Sequence, residues 1–157
     1  FSVARSVIAI QNQGDLELSR LSVREQAKIQ IHTTGNLSLN SDLYVGADSS
    51  NLVELVAETG SLTLATDITF GDGQLNLSAD KDVIQLATSQ ITNDGGQLTI
   101  TAKQGGLFQE AGAVLSTADV DVAGSINIHT LTDIVVSAID ASRGDLSQPI
   151  CWQISCP

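Results

Sequence analysis

The sequence predicts an all-β fold: a right-handed parallel β-helix (solenoid) of about six coils over residues 1–141, with a short irregular C-terminal tail over residues 142–157. Three observations carry this prediction. One short phrase, a turn residue and a polar residue leading into an alternating apolar pair, recurs along the chain. A second alternating phrase sits inside each interval. The core must also be built from Leu, Ile, Val and Ala, because the chain is 42% hydrophobic but only 3% aromatic, and such cores suit narrow, layered β structure.

The first phrase reads Gly14-Asp15-Leu16-Glu17-Leu18, Gly35-Asn36-Leu37-Ser38-Leu39, Gly60-Ser61-Leu62-Thr63-Leu64 and Gly124-Ser125-Ile126-Asn127-Ile128, with a degenerate copy at Asp82-Val83-Ile84-Gln85-Leu86. Its starts lie 21 residues apart from Gly14 to Gly35 and 25 from Gly35 to Gly60, the spacing of solenoid coils with small loop insertions. The second phrase reads Ala27-Lys28-Ile29-Gln30-Ile31, Asn51-Leu52-Val53-Glu54-Leu55, Gln74-Leu75-Asn76-Leu77, Gln97-Leu98-Thr99-Ile100 and Asp119-Val120-Asp121-Val122. Period-two alternation puts Leu75 and Leu77 on one face and Gln74 and Asn76 on the other, as in a strand with one buried side. Leu43-Tyr44-Val45, Ile68-Thr69-Phe70 and Val114-Leu115 supply a third side.

Glycine, Asn and Asp punctuate these strands at Gly71-Asp72-Gly73, Asn93-Asp94-Gly95-Gly96 and Gln104-Gly105-Gly106, all tolerant of positive φ. No window sustains the i, i+3, i+4, i+7 spacing of an amphipathic helix. A β-sandwich also has short alternating strands, but it has no reason to repeat one phrase, whereas stacked coils pile Leu16, Leu37 and Leu62 into one inward column. At ~4.8 Å per stacked strand the coils build a rod roughly 30 Å long.

The formal net charge is -11, and four of the seven basic residues, Arg5, Arg20, Arg24 and Lys28, fall in the first 28 positions. Nucleic acid is therefore excluded as a partner, since counterion release needs clustered cations. The chain has no Met and begins at Phe1, so it reads as a processed or excised piece. No stretch approaches the ~18 apolar residues of a membrane span, and calcium-binding nonapeptide repeats are absent.

With these phrases in hand, residues 14–140 resemble the repeat region of filamentous-haemagglutinin-type adhesins, the large exoproteins of bacterial two-partner secretion. The resemblance rests on the Gly-x-Leu-x-Leu phrase and on its companion, as in Gly95-Gly96-Gln97-Leu98-Thr99-Ile100-Thr101-Ala102. It implies an adhesive or structural role at the bacterial cell surface, outside the outer membrane, with the two-partner-secretion transporter of that membrane as a partner. The tail Cys151-Trp152-Gln153-Ile154-Ser155-Cys156-Pro157 is similar to the terminal cysteine pair of some of these adhesins. In such relatives a disulfide forms a hook that cannot pass the transporter, and the resemblance carries that anchoring role to Cys151 and Cys156. The plainer alternative is a staple on a tail that caps the open end of the helix. Pro149 and Pro157 are expected to keep the tail out of the sheets.

Arg143-Gly144-Asp145 spells the integrin tripeptide in a loop-like setting, and a polar linker is the competing explanation. Candidate acids pair as Asp80 with Asp82, Asp119 with Asp121 and Asp133 with Asp140, but only Lys81 is a basic residue close to any of them, so solvated carboxylates are expected rather than a polysaccharide-cleaving site. His32 and His129 follow strands several coils apart, which argues against a shared metal. Outward Ser38, Thr63 and Asn127 are too mixed for a threonine-array surface. No catalytic residues, cofactor or metal are expected. A glycan or host-surface ligand is the alternative to a purely structural role, and uncovered strand edges near Val3, Val7 and Ile8 invite end-to-end or edge self-association.

Overall fold

A computed structural model describes residues 6–19, 27–45, 50–93, 95–116, 124–140 and 152–155. The chain winds as a parallel β-helix whose coils each lay down one long strand and then shorter ones. The first coil holds β1 (Ser6–Asn12) and β2 (Leu16–Leu18). The second holds β3 (Ala27–Thr33), β4 (Leu37–Leu39) and β5 (Leu43–Val45), and the third β6 (Leu52–Ala57), β7 (Leu62–Leu64) and β8 (Ile68–Phe70). The fourth holds β9 (Gln74–Ala79), β10 (Val83–Gln85) and β11 (Gln90–Asn93), and the fifth β12 (Gln97–Ala102), β13 (Leu107–Gln109) and β14 (Val114–Ser116). The sixth holds β15 (Ser125–Thr130), β16 (Ile134–Val135) and β17 (Ala138–Asp140), and β18 (Trp152–Ser155) follows. Five of these coils show all three sides.

Every pairing is parallel and in register, giving a long sheet of seven strands (β1-β3-β6-β9-β12-β15-β18) and two narrower sheets of six and five. Stacking turns each alternating phrase into a column. Leu16, Leu37, Leu62, Val83, Leu107 and Ile134 follow one another in register, and the four central members are fully buried. Ile29, Val53, Leu75, Leu98 and Ile126 do the same in the long sheet. In the first coil Ile8, Ile10, Leu16 and Leu18 are only partly buried, so that end of the stack has one uncovered flank among the described residues.

A ladder of short polar side chains joins the coils at the turn before the second strand. Asp15 Oδ1 accepts the Asn36 N–H at 2.7 Å, Asn36 Oδ1 the Ser61 N–H at 2.9 Å, Ser61 Oγ the Asp82 N–H at 3.4 Å, and Asp82 Oδ1 the Gly106 N–H at 3.0 Å. This ladder explains the glycines of the repeat. A Cβ on Gly60 would stand 2.6 Å from Asn36 Oδ1 and from the Gly35 carbonyl oxygen, and Gly35 and Gly105 are crowded in the same way by Asp15 and Asp82. Where the preceding coil carries the smaller Ser61 or Gly106, the equivalent positions are Lys81 and Thr132. The Gly-Asx phrase is thus a fit between neighbouring coils.

The structure corrects three expectations. Gly124-Ser125-Ile126-Asn127-Ile128 belongs to the long sheet, with Ile126 stacked on Leu98, and so Asn127 does not align with Ser38 and Thr63. The true late copies of the first phrase are Gly106-Leu107-Phe108-Gln109 and Asp133-Ile134-Val135. They escape notice because the alternation inverts there: Ile84, Phe108 and Val135 point outward, while Gln85 and Gln109 turn inward at 1% and 6% exposure. Lastly, Trp152–Ser155 is not irregular; it pairs with β15, Trp152 beside Ile126 and Ile154 beside Ile128. Pro149 and Pro157 flank this segment rather than interrupt it, so neither removes a ladder N–H from it.

The inverted glutamines are satisfied internally. Gln85 Nε2 donates to the carbonyls of Ser89 and Val114, both at 2.9 Å, and Gln109 Nε2 donates to Gln85 Oε1 at 2.7 Å. Gln109 Oε1 accepts the Ser137 N–H at 2.9 Å. An amide ladder therefore replaces the leucine column of the earlier coils, where Leu39 and Leu64 occupy the same place.

Candidate functional site

Among the described residues the long sheet has the most strands, and its outward face divides into two halves. On β3 and β6 the outward side chains engage one another: Gln30 Nε2 donates to Glu54 Oε2 at 2.8 Å. His32 lies in the same place with Nε2 3.7 Å from Glu54 Oε2 and Nδ1 3.8 Å from Glu58 Oε1. These separations exceed a hydrogen bond, so the imidazole and carboxylates interact through charge only when the ring is protonated. His32, Thr34 and Glu58 line a cleft of about 340 Å³ together with Gln11, Asn12 and Gln13.

Much of that cleft is already committed. The Thr34 hydroxyl accepts the Gly14 N–H at 2.8 Å, and Asn12 Nδ2 donates to Gly14 and Asp15 carbonyls and to Thr33 Oγ1. Gln11, Gln13, His32 and Glu58 remain to hold a hydroxylated or cationic group. Sequence reasoning missed the His32–Glu54–Glu58 cluster, because its members lie 22 and 26 positions apart and meet only through the register of β3 on β6.

On β9, β12 and β15 the outward side chains form three columns: Gln74, Gln97 and Ser125; Asn76, Thr99 and Asn127; Ser78, Thr101 and His129. No Asp, Glu, Lys or Arg interrupts this grid. None of its side chains forms a hydrogen bond or ion pair with another described residue.

The other candidates are dispersed. His32 and His129 share a column but stand four coils apart, about 19 Å at the spacing of stacked strands. Asp80 accepts the Gln104 amide at 3.0 Å, and Asp82 is a rung of the turn ladder, so both serve coil-to-coil bonding. Asp133 is exposed beside β16. Asp119, Asp121, Arg143, Gly144, Asp145, Cys151 and Cys156 lie outside the described residues, the two cysteines immediately before and after β18 in sequence. Among the described residues no three His, Cys, Asp or Glu side chains converge on a metal position. Comparison with family models, with curated proteins and with solved structures finds no match.

Proposed function

We propose that this chain is a structural and adhesive module at the C-terminal end of a large secreted bacterial surface protein, held at the outer membrane through Cys151 and Cys156. The observation that carries the reading is the unbroken in-register stack, whose core columns and turn ladder run from coil to coil. Load applied along such an axis is shared by whole sheets of parallel hydrogen bonds, which suits a stalk. The resemblance of the repeats to two-partner-secretion adhesins, and of the Cys151 to Cys156 segment to their terminal hooks, supplies the anchoring role and the transporter as partner.

The test is fractionation of cells expressing the parent protein, wild type against Cys151→Ser. Release of the variant into the medium, with a Cys151–Cys156 bond in the retained wild type by non-reducing mass spectrometry, is the expected result. Equal retention of the two would remove the hook and leave only the stalk.

A further inference from the structure

We propose that the outer face of the long sheet from β9 to β15 binds an uncharged polysaccharide lying flat across the coils. The chain carries a net charge of -11, yet nine consecutive outward positions on three adjacent strands hold only amides, hydroxyls and one imidazole. Glu54 stands beside Asn76 on the neighbouring strand, and Asp72, Asp80, Asp82 and Asp133 sit at the corners with Lys81 and Lys103 among them, so the face is neutral and its rim carries a net excess of carboxylates. A polyanion is repelled by that rim, whereas a neutral chain approaches it without electrostatic cost.

The chemistry of the grid matches such a ligand. Asn and Gln side chains each present donor and acceptor groups, and Ser and Thr hydroxyls do both jobs, as sugar hydroxyls also do. Residues within a column stand ~4.8 Å apart across the coils and the columns ~6.7 Å apart along each strand, a regular lattice of polar groups on a flat support. Coils two and three show the contrast: there the Gln30 and Glu54 side chains satisfy each other, while the side chains of Asn76, Thr99 and Asn127 form no hydrogen bond with a described residue. The grid holds no apolar side chain on any of its three strands, so it lacks the desolvated centre that a second protein copy needs. This inference is independent of the anchoring role: a glycan-binding face survives loss of the cysteines, and an anchored stalk survives loss of the face.

Affinity electrophoresis of the 157-residue chain through gels containing dextran, galactomannan or a neutral β-glucan, with alginate as the anionic comparison, tests the proposal. At least one neutral polymer should retard the chain and alginate should not. The double variant Asn76→Ala/Asn127→Ala should weaken retardation about tenfold, the loss of roughly one good polar contact. Ser38→Ala/Thr63→Ala, on a different face, should leave it unchanged, with thermal melts showing that both variants fold. Retardation by none of the neutral polymers, preference for alginate, or equal retardation of the Asn76→Ala/Asn127→Ala chain would overturn the proposal. So would a dimer in solution that this variant abolishes, which would assign the face to a second copy.

Discussion

Closing a Cys151–Cys156 bond should detach β18 from the long sheet. Its four residues, Trp152–Ser155, pair in extended form with Ile126–His129. Their outer Cα atoms are thus about 10 Å apart at ~3.3 Å per residue. Even if the chain turned at right angles to the strand on both sides, the flanking cysteine Cα atoms would stay about 10 Å apart, whereas a disulfide needs them within ~7 Å. Bond and strand exclude each other. Undocking would half-uncover Ile126 and Ile128, now 2% and 1% exposed, which costs about 2 kcal/mol at the usual value of burying such side chains. The dithiol should therefore be favoured by that amount, raising the reduction potential by about 40 mV over that of an undocked tail. Hydrogen exchange read by mass spectrometry on a peptide spanning residues 152–155 is the assay. Protection of these amides should fall about 30-fold on oxidation, and the Cys151→Ser/Cys156→Ser chain should keep it. Equal protection in the oxidised and reduced chains would refute the geometric argument.

Gly105→Ala should destabilise the chain by about 3 kcal/mol or more in urea unfolding, because the new methyl meets Asp82 and the Lys81 backbone; Lys81→Ala, above the smaller Ser61, should cost under about 0.5 kcal/mol. Gln85→Leu should cost about 2–4 kcal/mol despite adding apolar bulk, since it removes two hydrogen bonds to the Ser89 and Val114 carbonyls and leaves the buried Gln109 amide without its acceptor; a neutral or stabilising result would mean that water takes the amide's place. Leu62→Ala, in the middle of the apolar column of the second sheet, should cost about 2–5 kcal/mol by the same measurement.

The architecture was readable because each inward column repeats one residue class at coil spacing, and Leu16, Leu37 and Leu62 fall in the column expected of them. The third side was readable at Leu43, Ile68 and Leu115, but not at Ile91 or Ile139, whose strands carry one clear apolar residue each. What misled the reading was the exchange of polar for apolar at Gln85, Phe108 and Gln109. Alternation reports burial only while inward groups are apolar, and a buried amide ladder reverses it. The two halves of the long sheet's outer face were less legible still. Whether the Gln30 side chain bonds to Glu54, or that of Asn76 to no described residue, depends on register between coils, and turns of unequal length hide that register from sequence spacing.

The in-register stack underlies every surface described above, and a distance along its axis tests it most directly. Spin labels at Glu17 and Val135, outward residues at opposite ends of one column with Cys151 and Cys156 changed to Ser, are separated by five coil steps, about 24 Å. A pulsed dipolar measurement should give one narrow distribution near that distance, widened only by the label arms. A broad distribution, or a mean beyond about 35 Å or below about 15 Å, would contradict the parallel stacking on which the account rests.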